Sequence, residues 1–266
     1  MTARPARAPH RAMPHAAYVL HRYDWSESSL ILDLFTRDLG RIAVAAKGAK
    51  RPYSQLRSVL LPFQRILVTL GRAARDEASS EVQNLRGAEW AGGAAMLTGA
   101  ALFSGFYLNE LLMKLLARHD PHAALFDAYA QTLPALVDAD DTQVQAALRA
   151  FELTLLREIG VLPDLSLVTL TQQAVHADAR YTLQAETGVG DAPGSAADLT
   201  GAALTGLQAA LQHGSLPALQ HACLGSLVEL KMLSRGLIQH HLGSVTLRTR
   251  QVMLDLQGLQ TESLTP

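Results

Sequence analysis

The residues of this 266-residue chain with the clearest chemistry are cationic. Lys47, Lys50, Arg51 and Arg57 fall within eleven positions, in AAKGAKRPYSQLR. Gly48 and Pro52 make this run a loop at a strand end, where long basic side chains can reach a phosphate chain. Neutralising phosphates releases condensed counterions, the usual driving force for holding a polyanion. Tyr53 lies inside the cluster and Phe63 just beyond it. Rings among cations suit a single strand, because a base stacked on a ring face is worth about 1–3 kcal/mol. Phe63 reads as core filling, whereas Tyr53 suits stacking or packing equally. Arg22, Arg41 and Arg65 are expected on or beside strands, extending the basic surface. A second group, Lys231, Arg235, Arg248 and Arg250, has no acidic residue between positions 230 and 254. It suits more nucleic acid, an acidic partner segment, or a plain solvated helix face.

No spacing proposes catalysis or metal binding. A G-x-x-x-x-G-K-[ST] phosphate loop is absent, and Gly188, Gly190 and Gly194 lack dinucleotide spacing and read as linker. Of ten histidines, His240 and His241 are adjacent and point apart on a helix, while Pro121 breaks the helix between His119 and His122. His221 and Cys223 are two apart and face different ways, so no four ligands have structural-zinc spacing. No G-x-S-x-G elbow occurs, and Cys223, within HACLGSL, reads as a small buried apolar residue. A single cysteine excludes an intramolecular disulfide framework and fits a reducing cytoplasm. Asp138, Asp140 and Asp141 read as a solvated loop or helix start. The expectation is a binding protein, not an enzyme, with no cofactor and no metal.

The elements that position the cations come in two styles. The net charge of −1 hides an asymmetry: residues 1–76 hold 13 Lys or Arg against 5 Asp or Glu, a net +8, and the remainder nets −9. Apolar residues at 48% supply a large core and exclude wholesale disorder. From Ala16 to about Arg86 the apolar residues form short alternating runs: 16–22, 29–35, 41–47, 63–71 and 79–86. Leu30, Leu32 and Leu34 share one face, and TRDLG (36–40) ends in Gly as a hairpin turn with a positive-φ residue requires. Five short strands in about 70 residues predict a small barrel or sandwich, of which the OB-type barrel is the kind that holds single strands.

From Trp90 onward the period is helical, with the first helix running to about His119-Asp120-Pro121. Further helices are predicted over 122–137, from Asp140 or Thr142 to Gly160, over 200–212, and over 216–241 with a break. Residues 167–188 read as extended or loop-like, 188–198 as a flexible connection, and 245–256 as a possible final helix. The stretch between Glu89 and Glu110 carries no charge but is rich in Gly, Ala, Ser and Thr, so it reads as a buried helix rather than a membrane span. Residues 1–14 have Arg4, Arg7 and Arg11 with no apolar run behind them and read as a basic disordered tail, and 259–266 as a frayed end.

Several motifs carry a family resemblance. The runs WSESSL (25–30), F-T-x-x-x-G-R (35–41), AKGA (46–49) and LPF (61–63) closely resemble the N-terminal part of RecO, the bacterial recombination mediator. SGFYLNELLMKLL (104–116) and LRAFELTLLREIGVLPDL (148–165) resemble its helical part, and LGSVTLRTRQVML (242–254) its C-terminal piece more loosely. The resemblance implies an α+β multidomain fold: an N-terminal five-stranded OB-type barrel (15–88), then a mostly α-helical domain (89–258) with an irregular insert at 162–198. It implies a cytoplasmic, nucleoid-associated protein that binds single- and double-stranded DNA and anneals complementary strands. Its implied partners are RecR and the acidic C-terminal tail of single-stranded DNA-binding protein, with which it helps load RecA in gap repair. Some members carry a four-cysteine zinc site, which this chain cannot form. On the residues alone two other readings stand: an RNA-binding OB protein, and a helical interaction adaptor with a structural barrel.

Overall fold

The computed structural model describes residues 13–71, 82–93, 96–137, 140–192, 194, 197–249 and 251–252. The chain divides into two compact units, Met1–Ala94 and Ala95–Pro266. The basic tail lies outside the described residues up to residue 12, and the frayed end lies outside them entirely.

In the first unit, β1 (His15–Asp24), β2 (Leu30–Thr36), β3 (Gly40–Ala46), β4 (Ile66–Leu70) and β5 (Val82–Trp90) close into a barrel ordered β1-β2-β3-β5-β4. The period-2 pattern sets the core. Leu32, Leu34, Ile42, Val44, Ile66 and Val68 are fully buried inside it; each large aliphatic side chain contributes about 1.5–3 kcal/mol by leaving water. The β2–β3 turn is the one its sequence anticipates. Gly40 takes φ 67°, the Thr36 hydroxyl donates to Gly40 O at 2.8 Å, and Leu39 N–H donates to Thr36 Oγ1 at 3.1 Å. β3 and β5 run parallel, Ala43 opposite Val82. A parallel pair needs a long crossover, and the segment that makes it carries the cationic loop, the short helix α1 (Leu56–Val59) and β4. β4 then closes the barrel onto β1 through Ala17 and Ile66. This is the five-stranded OB-type barrel anticipated from the sequence.

Two boundaries differ from expectation. The fifth strand, expected at 79–86, runs to Trp90, because Gly87 and Ala88 continue the ladder against Thr69 and Val68 of β4; residues 79–81 lie outside the described residues. The helical part accordingly starts at Gly99, not Trp90.

The second unit contains α2 (Gly99–Leu115), α3 (Ala123–Ala135), α4 (Asp141–Glu158), α5 (Gly201–His213), α6 (Leu216–Cys223) and α7 (Leu227–Leu242). α4 is its centre: Ala146, Ala150, Phe151, Leu155 and Leu156 are all fully buried. Asp140 caps it by accepting from Gln143 N–H at 2.9 Å. A 3-10 turn, Leu224–Ser226, makes the anticipated break between α6 and α7. Residues 248–249 and 251–252 are helical; residues 250 and 253–256 of the expected final helix lie outside the described residues.

Residues 167–188, read as extended or loop-like, do contain a strand, whereas the flexible connection read at 188–198 needs correction. β6 (Arg180–Gln184), β7 (Gly188–Asp191) and β8 (Leu199–Thr200) form a three-stranded sheet ordered β7-β6-β8. Tyr181, Leu183, Val189 and Leu199 are its buried apolar residues. Gly188 is there for space: at φ 70°, a Cβ would stand 2.2 Å from Thr169 Oγ1. Among the described residues, no helix is long and apolar enough to cross a membrane.

Candidate nucleic-acid interface

The barrel brings most of the first basic group to one end. Arg22 and Asp24 lie opposite Leu32 and Leu30 in the β1–β2 ladder. They therefore continue the inward-facing side of β1 to the mouth of the barrel. Leu60 and Ala49 fill the barrel behind them. Arg22, Asp24, Lys50 and Arg57 line an open cleft of about 460 Å³ floored by Leu30, Ala49 and Leu60. That volume lies in the range of small-ligand sites (about 300–1,000 Å³), so a nucleotide-sized group fits.

Three of these positions come from different elements. Arg22 lies near the end of β1 and donates to Leu60 O at 3.4 Å. Arg57 projects from α1 and is exposed. Lys50 belongs to the turn after β3, held between Asp24 Oδ1 at 3.1 Å and Ser26 O at 3.0 Å. Lys47 and Arg51 flank it, both exposed, with the Arg51 side chain lying over Gly48 at φ 74°. Tyr53 is 99% exposed in the same loop, so it does not pack. Phe63 is buried, as its core reading anticipates. Arg65, exposed, precedes β4 at the point where Ala91 N–H donates to its carbonyl at 2.9 Å.

Arg41 is not gathered here. It lies at the start of β3, the other end of the strand from Lys47. Its Nε lies 3.6 Å from Asp33 Oδ1, largely buried. Asp33 pairs with Ala43, which places Arg41 on the diagonal of the same sheet face. Its charge is neutralised locally. What residue-by-residue reading overlooked is a set of exposed rings: Tyr23, Trp25 and Trp90. The signal for Trp25 was present, a large aromatic inside the polar turn WSES.

The second basic group is only partly assembled. Lys231 and Arg235 share an exposed face of α7 together with exposed Val228 and Met232. Arg250 lies outside the described residues. The backbone at Arg248 is tethered to Glu110 of α2. The Glu110 carboxylate accepts from Arg248 N–H at 2.8 Å, Thr249 N–H at 2.9 Å and the Thr249 hydroxyl at 2.7 Å. Burial opposes ionisation of Glu110, but these donors outweigh it and hold the carboxyl below its ordinary range.

The remaining polar machinery of the second unit is buried and structural. Glu152 of α4 accepts from Tyr107 Oη at 2.7 Å, Arg149 Nη2 at 2.6 Å and Ser234 Oγ at 2.5 Å. It thereby ties α2 and α7 to α4. Burial, and then the Glu152 charge, push the Tyr107 hydroxyl well above its ordinary value. Cys223 is fully buried, as read from the sequence, and burial pushes its thiol up to about 12.

Drawn at the unit boundary, Met1–Ala94 holds 14 basic against 8 acidic residues, a net +6, and Ala95–Pro266 nets −7. Comparison with known proteins agrees with the motifs. Residues 13–91 match the family described as Recombination protein O N terminal, and residues 96–251 match Recombination protein O C terminal. The chain is 51% identical over 261 residues to the DNA repair protein RecO of Variovorax paradoxus, covering 95% of this chain and 99% of that one. It is 49% identical over 255 residues to the same-named protein of Verminephrobacter eiseniae, covering 94% and 98%. A cationic OB-type barrel followed by a helical unit, matched along nearly its whole length, places this chain in the RecO family of DNA repair and recombination proteins.

Proposed function

We propose that this chain is a recombination mediator that binds single- and double-stranded DNA, anneals complementary strands, and helps load RecA on strands coated by single-stranded DNA-binding protein. The observation that carries the reading is the convergence of Arg22, Lys50 and Arg57, from three separate elements, on one cleft at the barrel mouth. Exposed Lys47 and Arg51 continue it. A polyanion bound there exchanges condensed counterions for fixed cations. Two strands neutralised together repel each other less, which favours their pairing. No catalytic step is required, and the protein acts as a binding platform rather than an enzyme. The work is done in the cytoplasm, on the nucleoid.

The helical unit serves partners. The α7 face combines Lys231 and Arg235 with exposed Val228 and Met232. That mixture suits the acidic C-terminal tail of single-stranded DNA-binding protein, and RecR is the second partner. Equilibrium binding of the full chain to labelled single-stranded DNA, duplex and matched RNA tests the reading. DNA of both forms is expected to bind, with RNA the weaker competitor. RNA outcompeting DNA, or no DNA binding at low salt, overturns it. Titration with an acidic peptide ending in Phe tests the docking face: Lys231→Ala with Arg235→Ala is expected to abolish binding, and unchanged binding removes the assignment.

A further inference from the structure

Trp25 stands at the β1–β2 turn with 55% of its surface exposed. The turn beneath it is firmly tied. Trp25 N–H and Ser26 N–H both donate to Ser29 O, at 3.3 and 3.4 Å, and Lys50 N–H donates to Ser28 O at 3.0 Å. The Lys50 ammonium donates to Ser26 O at 3.0 Å, and Gly48 N–H to Ser29 Oγ at 3.3 Å. The turn that presents the indole is thus fastened to the same loop that presents the cations. Holding a large apolar ring in water is unfavourable, and a tied turn holds it there with little further ordering needed on binding. Tyr23 is differently placed: it packs edge-on against His21, with ring centroids 4.4 Å apart.

The surroundings select the ligand. Arg22, Lys47, Lys50, Arg51 and Arg57 outnumber Asp24 and Glu27, leaving three net positive charges on this end of the barrel. A polyanion is the complement of those charges, and the ring asks for a flat apolar face. A duplex offers phosphates but keeps its base faces stacked inside; a single strand offers both. We propose that Trp25 is a base-stacking platform that gives the barrel mouth its preference for unpaired DNA. Lys47, Arg51 and Arg57 hold phosphates of either form. This assignment rests on the DNA-binding function proposed above.

The test compares full-length Trp25→Ala and Trp25→Phe with the unchanged protein, on oligo(dT) and on a duplex of equal length. Trp25→Ala is expected to weaken oligo(dT) binding about fivefold to a hundredfold and leave duplex affinity within twofold. Trp25→Phe is expected to recover most of the loss. The chain has two tryptophans, so Trp90→Phe isolates the Trp25 emission, which is expected to be quenched as oligo(dT) saturates the protein. Equal losses on both DNA forms, or binding without quenching, overturn the stacking role while leaving the DNA-binding function standing. Failure of the unchanged protein to bind DNA overturns both.

Discussion

Replacing Lys47, Arg51 and Arg57 together by Ala probes the electrostatics of the barrel mouth. All three side chains are exposed, so folding should change little, with surface substitutions of this kind usually within about 0.5 kcal/mol each. On a single strand, each phosphate neutralised contributes about 0.7 to the slope of log affinity against log salt. Losing three contacts therefore flattens the slope by about 2. Between about 50 and 200 mM salt the unchanged protein should lose roughly twentyfold more affinity than the triple variant. Two single variants sharpen the assay. Lys50→Ala should flatten the slope by less than one full contact, because Asp24 already lies 3.1 Å from its ammonium. Arg41→Ala should leave the slope unchanged, since Arg41 pairs with Asp33 at the far end of β3. Fluorescence anisotropy across a salt series reads all of these, with melting curves as the folding control. A triple variant with the parental slope would refute the assignment of phosphate contacts to this loop.

Three further outcomes concern the helical unit. Glu152→Ala strips the partner from Arg149, which is itself buried; uncompensated buried charge costs about 3–5 kcal/mol, so a clear fall in Tm is expected, and an unchanged Tm contradicts the network's role. Glu110 is held below its ordinary value of 4.5, so its tether on Arg248 and Thr249 is fully present above that value and lost as pH falls through the lower folded one. The protection factors of those two amides, corrected for the intrinsic pH dependence of exchange, should fall on acidification, and in Glu110→Ala at neutral pH; equal protection in that variant counts against the tether. Cys223, buried with its thiol pushed up to about 12, should resist thiol reagents in the native state and react on unfolding, whereas rapid native labelling would show the burial to be incomplete.

How far the residues disclosed this molecule depended on whether the determining contacts were local. β2 and β3 were legible because Leu32, Leu34, Ile42 and Val44 alternate cleanly and Thr36 to Gly40 is local turn chemistry. The end of β5 was not, because Gly87 and Ala88 carry no strand preference and are held by pairing with β4. β7 was hidden for the same reason: GVGD reads as linker, and it becomes a strand by pairing with β6 and by Thr169 Oγ1 accepting from Val189 N–H at 2.9 Å. In the binding surface, the cationic loop was legible as a dense local cluster. The capture of Arg41 by Asp33 was not, since it follows from strand register. Trp25 was signalled by its place in the polar turn WSES, but the way it is held was not, since that depends on how the turn is fastened to Lys50. The family motif marked that turn without assigning its aromatic a task.

The most direct test of the mediator function is strand annealing, measured on complementary oligonucleotides naked and coated with single-stranded DNA-binding protein. The full chain should accelerate pairing of both, and the Lys47, Arg51 and Arg57 triple variant should lose most of that acceleration. Pairing no faster than the spontaneous rate with the unchanged protein would contradict the proposed function.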